Sequence, residues 1–282
     1  AGIPQDNVFE FLRVANAAAK GGIADLEVSV DALTSVTAAY ASTGMTAVEA
    51  SDLLFSAVKS GKTDFSQLSS EIYKVAPIAS AVGIEFKSVT AALADLTLQG
   101  TPTAIAASQL KALFSELAKE STKADTAFRD LAGVGMTQFL AEGGTFQDAL
   151  MLLKDGADDA GISVLDMFGS IEAGQSILAL TADGGVHFAE TMATMKNAAG
   201  ATDEAFKIMD TGLAATFDRL KARFAVMAIE TGEKLAPVVE RAVVQMTDAF
   251  QRLQPHIERA KEVVKQWVTE FIERATPAFN RF

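Results

Sequence analysis

Cysteine is absent from the 282 residues. That excludes disulfides and cysteine-based metal sites, and it leaves a reducing compartment compatible but not required. Proline is scarce at six, and the aromatics are few, with one Trp, two Tyr and the remainder Phe. Runs of β-branched residues bounded by turns are also few, so sheet has little to be built from. No stretch approaches the ~18 consecutive apolar residues of a membrane-spanning helix; the longest in the C-terminal quarter runs from Phe224 to Ile229. No signal peptide is visible. The chain opens Ala1-Gly2-Ile3-Pro4 without Met and ends Ala278-Phe279-Asn280-Arg281-Phe282, which reads as a piece of something larger.

What is present is a chain 49% apolar and rich in alanine, long enough for one or two domains with a real core. The expectation is an all-α fold. Net charge is −12, unevenly spread. Residues 217–282 hold 11 Lys/Arg against 9 Asp/Glu, and residues 1–216 hold 13 against 27, so the front is acidic and the end near neutral. An acidic front disfavours nucleic-acid binding, which draws most of its affinity from neutralising phosphates.

The organising stretch runs from Phe217 to Phe271. Apolar or small residues recur there over 54 residues in fifteen steps, a mean of 3.6 and the period of a straight α-helix. A heptad seam would average 3.5 and supercoil. The segment 201–282 therefore reads as a rod of long, nearly straight helices that self-associate. Its expected seam is Phe217, Leu220, Phe224, Met227, Leu235, Val238, Met246, Leu253, Ile257, Val264, Trp267 and Phe271. Gly232, Pro237 and Pro255 are its expected hinges, because a proline inside a helix removes a donor and crowds the carbonyl four residues back, at ~3 kcal/mol. Pro277 should end the last helix.

Ahead of the rod, helices of short to medium length are expected. One spans about 6–20 and one about 28–42. Thr46-Ala47-Val48-Glu49 is a capping box opening a helix that stops at Gly61. Asp64 caps the next, and Pro77 kinks or restarts it. Gly83-Ile84-Glu85-Phe86 breaks the chain before a helix through Val89, Leu93 and Leu96. Thr101-Pro102 opens another with proline in its first turn, and Ser121 starts a further short one. A repeated device, Gly followed by Ile or Met, should end helices through a left-handed glycine at Gly22, Gly44, Gly83, Gly135 and Gly161. Its spacings, 22, 39, 52 and 26, rule out a solenoid of fixed period. The expected divisions are 1–132, a glycine-dense short-helix region 133–200, and 201–282, entered through a cap at Thr202 or Asp203.

Chemistry is hard to find. His187 and His256 lack the spacing of metal ligands and have no nucleophile signature beside them. Asp155, Asp158 and Asp159 read as a solvated turn rather than an acid–base pair or a calcium loop. Gly133, Gly135, Gly143 and Gly144 lack the Lys-Ser/Thr and the preceding strand of a phosphate loop. Trp267 reads as a packing anchor. The amphipathic end from Val263 to Ile272, with Lys261, Lys265 and Arg274, is compatible with a membrane surface. The interleaved Glu258, Glu262, Glu270 and Glu273 fit a helix–helix seam better. No catalytic residue, cofactor or metal is expected, and an enzyme is the poorest reading.

The stretch from Gly83 through Phe86, Ala91-Ala92-Leu93-Ala94-Asp95-Leu96-Thr97 and Gly100, continuing into Ala107-Ser108-Gln109-Leu110, resembles the core region of phage tail tape measure proteins. Ala41-Ser42-Thr43-Gly44-Met45-Thr46 upstream, and Gly232-Glu233-Lys234-Leu235-Ala236-Pro237 downstream, are similar to the same family. The likeness covers roughly residues 20–245. It implies a non-enzymatic protein of the virion, inside the tail tube or at the tail tip and assembled in the host cytoplasm. It would set tube length, scaffold tail assembly and take part in DNA ejection. Implied partners are further copies of itself (a homotrimer, with a hexamer as the alternative), tail tube and tip or baseplate hub proteins, assembly chaperones, and the host envelope on ejection. Sequence-specific nucleic-acid binding is not implied. Some family members carry muralytic domains, but the residues of such a domain are not present here. A helical adaptor module and a membrane-active pore or translocation protein remain the alternatives.

Overall fold

The computed structural model describes residues 7–210, which fall in one compact unit, Ala1–Gly212. Thirteen α-helices and no strand occur among the described residues. In chain order they are α1 (Val8–Gly21), α2 (Leu26–Ala39), α3 (Ala47–Ser60), α4 (Phe65–Glu71), α5 (Ala76–Val82), α6 (Phe86–Leu98), α7 (Thr103–Ala118), α8 (Lys123–Ala132), α9 (Met136–Ala141), α10 (Phe146–Asp159), α11 (Ile171–Leu180), α12 (Val186–Met195) and α13 (Ala201–Asp210). The all-α expectation holds for them. The long self-associating helices expected after them lie outside the described residues.

Local chemistry sets most of the starts. Thr46 accepts from the Glu49 N–H while Glu49 accepts from the Thr46 N–H, completing the expected capping box of α3. Asp64 accepts from the Gln67 N–H at 2.8 Å and opens α4. Thr145 and Asp148 form a second capping box at α10. Each such cap is worth about 1 kcal/mol. Pro77 restarts the chain as expected: α4 gives way to a 3-10 turn, Ile72–Lys74, and the proline stands in the first turn of α5.

Several boundaries differ from expectation. Pro102 precedes α7 rather than sitting inside it. Thr122, not Ser121, caps α8, because its hydroxyl reaches the Asp125 N–H at 3.0 Å while Ser121 lies at φ 64°. Asp155, Asp158 and Asp159 ride on the last turns of α10 instead of a solvated turn, with Lys154 paired to Asp158. The glycine device works at Gly44, Gly83 and Gly161, whose φ values are 75°, 92° and 68°. It fails at Gly22, which stays right-handed at φ −91°. A Cβ there would lie 2.5 Å from the Cβ of Phe65, so this glycine is needed for close approach and Ile23 takes the positive φ of 50° instead. At the next exception Gly133 makes the left-handed exit, and Gly135 is extended ahead of α9.

The centre is α6. Eleven of its thirteen residues are buried, so it is enclosed on all sides rather than amphipathic. It packs against α3, α5, α7, α11 and α12. Its small residues let neighbours come near: Gly61, just past α3, sits where a Cβ would be 3.0 Å from the Cα of Ala94. Aromatic contacts tie early helices to late ones. Phe146 of α10 meets Phe114 of α7 edge-on at 5.3 Å and Phe188 of α12 at 5.9 Å, and Tyr40 meets Phe86 at 5.5 Å.

Candidate functional site

Three carboxylates on the central helices stand out, and each acts, or fails to act, on a distant part of the chain. Asp52, on α3 and only 5% exposed, accepts from the Gly200 N–H at 2.7 Å and the Thr202 N–H at 2.9 Å. Ser51 beside it shares a 2.8 Å hydroxyl contact with Thr202. The first N–H groups of a helix have no partner within it, and a carboxylate placed there also meets the positive end of the helix dipole. Asp52 thus caps α13 from another helix, and Lys59, also on α3, pairs with Glu204 on α13. The sequence pointed to Thr202 or Asp203 as the cap. Thr202 lies instead inside the first turn, and its cap comes from α3.

Glu116, on α7, does the same for α11. Its two oxygens accept from the Gly169 N–H at 2.7 Å and the Ser170 N–H at 2.8 Å, and the Ser170 hydroxyl donates at 2.5 Å. The two helices run antiparallel, since Glu116 meets Ser170 while Gln109, earlier on α7, meets Gln175, later on α11, at 3.1 Å. The third carboxylate, Asp95 on α6, is fully buried, and neither oxygen has a hydrogen-bond partner. Burial pushes its carboxyl above the usual carboxylate range, while the Gln99 amide and the His187 imidazole pull the other way. The Gln99 amide is already donating to the Ala179 carbonyl at 3.1 Å.

The remaining candidates stay apart. His187 stands exposed on the first turn of α12, 3.9 Å from Asp183 and 3.8 Å from Glu190, with no nucleophile in reach. Among the described residues no group of three His, Asp or Glu is placed to hold a metal ion, and no helix is long and apolar enough to cross a membrane. A groove of about 550 Å³ lies over Tyr40, Met45, Leu53, Phe86 and Met195; Asp52 at its edge has both oxygens engaged by α13. The expected seam from Phe217 to Phe271, the hinges Gly232, Pro237 and Pro255, and His256 lie outside the described residues.

The arrangement is one of helices fastened to helices, with no acid, base and nucleophile brought together among the described residues. The family model of the phage-related minor tail protein matches residues 1–169, from the N-terminus to the glycine that Glu116 holds. The chain belongs to the phage-related minor tail protein family. A curated relative, the probable tape measure protein of Clostridium phage phiCD119, is 29% identical over 229 residues, 79% of this chain and 24% of the relative's length. The chain spans about a quarter of the length of the curated relative it matches. No solved structure matches. Together the family and the relative show the likeness to phage tail tape measure proteins read from the sequence. Membership of that family makes it a structural protein of a phage tail.

None of the three carboxylates was singled out from sequence. Asp52 and Glu116 serve groups 148–150 and 53–54 residues away, beyond any local motif. Asp95 did leave a signal: it is the one charged residue in the run from Val89 to Gln99.

Proposed function

We propose that this chain is a segment of a tape measure protein that sets the length of the tail tube, scaffolds tail assembly and takes part in DNA ejection. What supports the reading is the 29% identity to a probable tape measure protein across 79% of the chain. The physical basis is the helical rise of ~1.5 Å per residue, which converts residue count into length. The stretch from Phe217 to Phe271 would span about 80 Å on that rise. Copies would bury its apolar stripe against one another as a homotrimer, or alternatively a hexamer, and turn charged sides toward the tube wall. Gly232, Pro237 and Pro255 would let the assembly bend or part on ejection. Tube, tip or baseplate hub proteins, assembly chaperones and the host envelope are the partners this role requires.

Removing about ten helical turns within 217–271, in phase with the 3.6 repeat, should shorten assembled tails by about 54 Å. Tails of unaltered length in electron micrographs would overturn the ruler role. Replacing Pro237 and Pro255 together with Ala should impair DNA delivery from otherwise complete particles; unaltered delivery would count against the hinges.

A further inference from the structure

The most buried ionisable group among the described residues is also the least satisfied. Asp95 is 0% exposed, and both its oxygens lack a hydrogen-bond partner. A buried carboxylate left in that condition is costly, whereas the neutral acid is tolerated, so the environment favours a bound proton. Its surroundings offer little else. On α6 itself, Lys87 pairs with Glu85, and Gln99 just past its end gives one amide N–H to Ala179. On α3, Glu49 closes its capping box, Asp52 holds Gly200 and Thr202, and Lys59 pairs with Glu204. On α7, Glu116 holds Gly169 and Ser170, and Lys111 is exposed; on α11, Glu172 is exposed. α5 carries no charged residue. From α12 and the turn before it come His187, Asp183 and Glu190, and of all these the charge that acts on Asp95 is that of His187.

That turn is left-handed throughout. Asp183, Gly184 and Gly185 take positive φ in succession, at 50°, 71° and 73°, directly ahead of α12. The two glycines take such angles freely, and Asp183 is the one residue of the three that carries backbone strain. On its far side α12 packs on α6 and α3 and buries Phe188, Thr191 and Met195.

We propose that the docking of α12 onto α6 is proton-linked, with Asp95 carrying the proton in the docked state. Loss of that proton to solvent leaves a buried anion with no hydrogen bond in place, beside a Gln99 amide already donating to Ala179, and α12 with its left-handed turn is the part that lifts. The sign follows from linkage. A carboxyl whose folded pKa is raised gives its full stabilisation below its unfolded value, ~3.9, and loses it as pH rises through the folded one. Docking is therefore tightest in acid and loosens toward neutral and alkaline pH. The residues released run directly into Gly200 and Thr202, the two positions Asp52 holds.

Hydrogen exchange on the full chain tests this, with intrinsic rates corrected for pH. Protection of the α12 amides from Thr191 to Met195 should fall at least tenfold as pH is raised from acid to alkaline, while that of Leu53 to Ala57 in α3 stays level. Asp95→Asn should flatten the α12 profile, and His187→Gln should leave it in place. An unchanged profile in Asp95→Asn, a flat one in His187→Gln, or an equal loss in α3 would overturn the proposal. Should Asp95→Asn fail to fold, carboxyl carbon NMR of the unsubstituted chain decides. The Asp95 resonance must titrate above the ~3.9 of an ordinary aspartate; titration at or below it overturns the proposal.

Discussion

Thr202 enters its helix held by Asp52, a residue 150 positions earlier: the backbone N–H donates to a carboxylate oxygen at 2.9 Å, with the Gly200 N–H on the other oxygen at 2.7 Å. The last described helix is thereby fastened to α3, beside the central α6. Asp52→Asn turns one acceptor into a donor facing an N–H. Unsatisfying a buried pair of this kind should lower unfolding free energy by about 2–3 kcal/mol. Urea denaturation reads the loss, and hydrogen exchange should place the first opening in α13.

Glu116 offers a companion test. Glu116→Gln confronts the Gly169 and Ser170 N–H groups with an amide that cannot accept from both. The site is half-buried, so the expected cost is smaller, about 1–2 kcal/mol. Because Ser170 begins α11, the amides of that helix should lose protection before those of α7.

Ile23 should be improvable. It is a β-branched residue at φ 50° and 78% exposed, so it carries backbone strain without compensating burial. Ile23→Asn should raise stability by about 1 kcal/mol, read as a higher urea midpoint with an unchanged slope. Gly22→Ala next to it should do the reverse, since the added methyl would press on Phe65.

Tyr40 sets an alkaline limit. Its hydroxyl donates to the Ile84 carbonyl at 2.9 Å, and burial, reinforced by the charge of Glu85, pushes its phenol well above the usual range. A phenol whose folded pKa is raised gives full stabilisation below its unfolded value, ~10, and loses it as pH rises past that toward the folded one. Stability should fall above pH ~10, and Tyr40→Phe should flatten that fall. The same variant should cost about 1 kcal/mol at neutral pH by leaving the Ile84 carbonyl unpaired. Thermal melts across alkaline pH measure both.

The helical fold was legible wherever the chain's instructions are short-range. Thr46 with Glu49, and Asp64 with Gln67, are caps three residues long, and both stand where the sequence puts them. The Gly83-to-Gly100 stretch announced itself as a helix between glycine exits, but its place at the centre, with Ser88, Thr90, Asp95 and Thr97 buried along with its apolar side, did not. The glycine at position 22 was misread for a reason of the same kind seen from the other side. Whether a glycine is needed for its backbone angle or for its missing side chain depends on what lies opposite, and Phe65 is 43 residues away.

Sequence alone determined that this is an all-helical chain of the described residues, with an acidic front and the likeness to tape measure proteins, because helix periodicity, caps and charge are properties of neighbours along the chain. Only the tertiary structure decided that Asp52 and Glu116 serve as caps for later helices and that Asp95 is sealed without a partner. A carboxylate's role depends on which donors reach it and how much water is left, and both are fixed by packing between residues far apart in sequence.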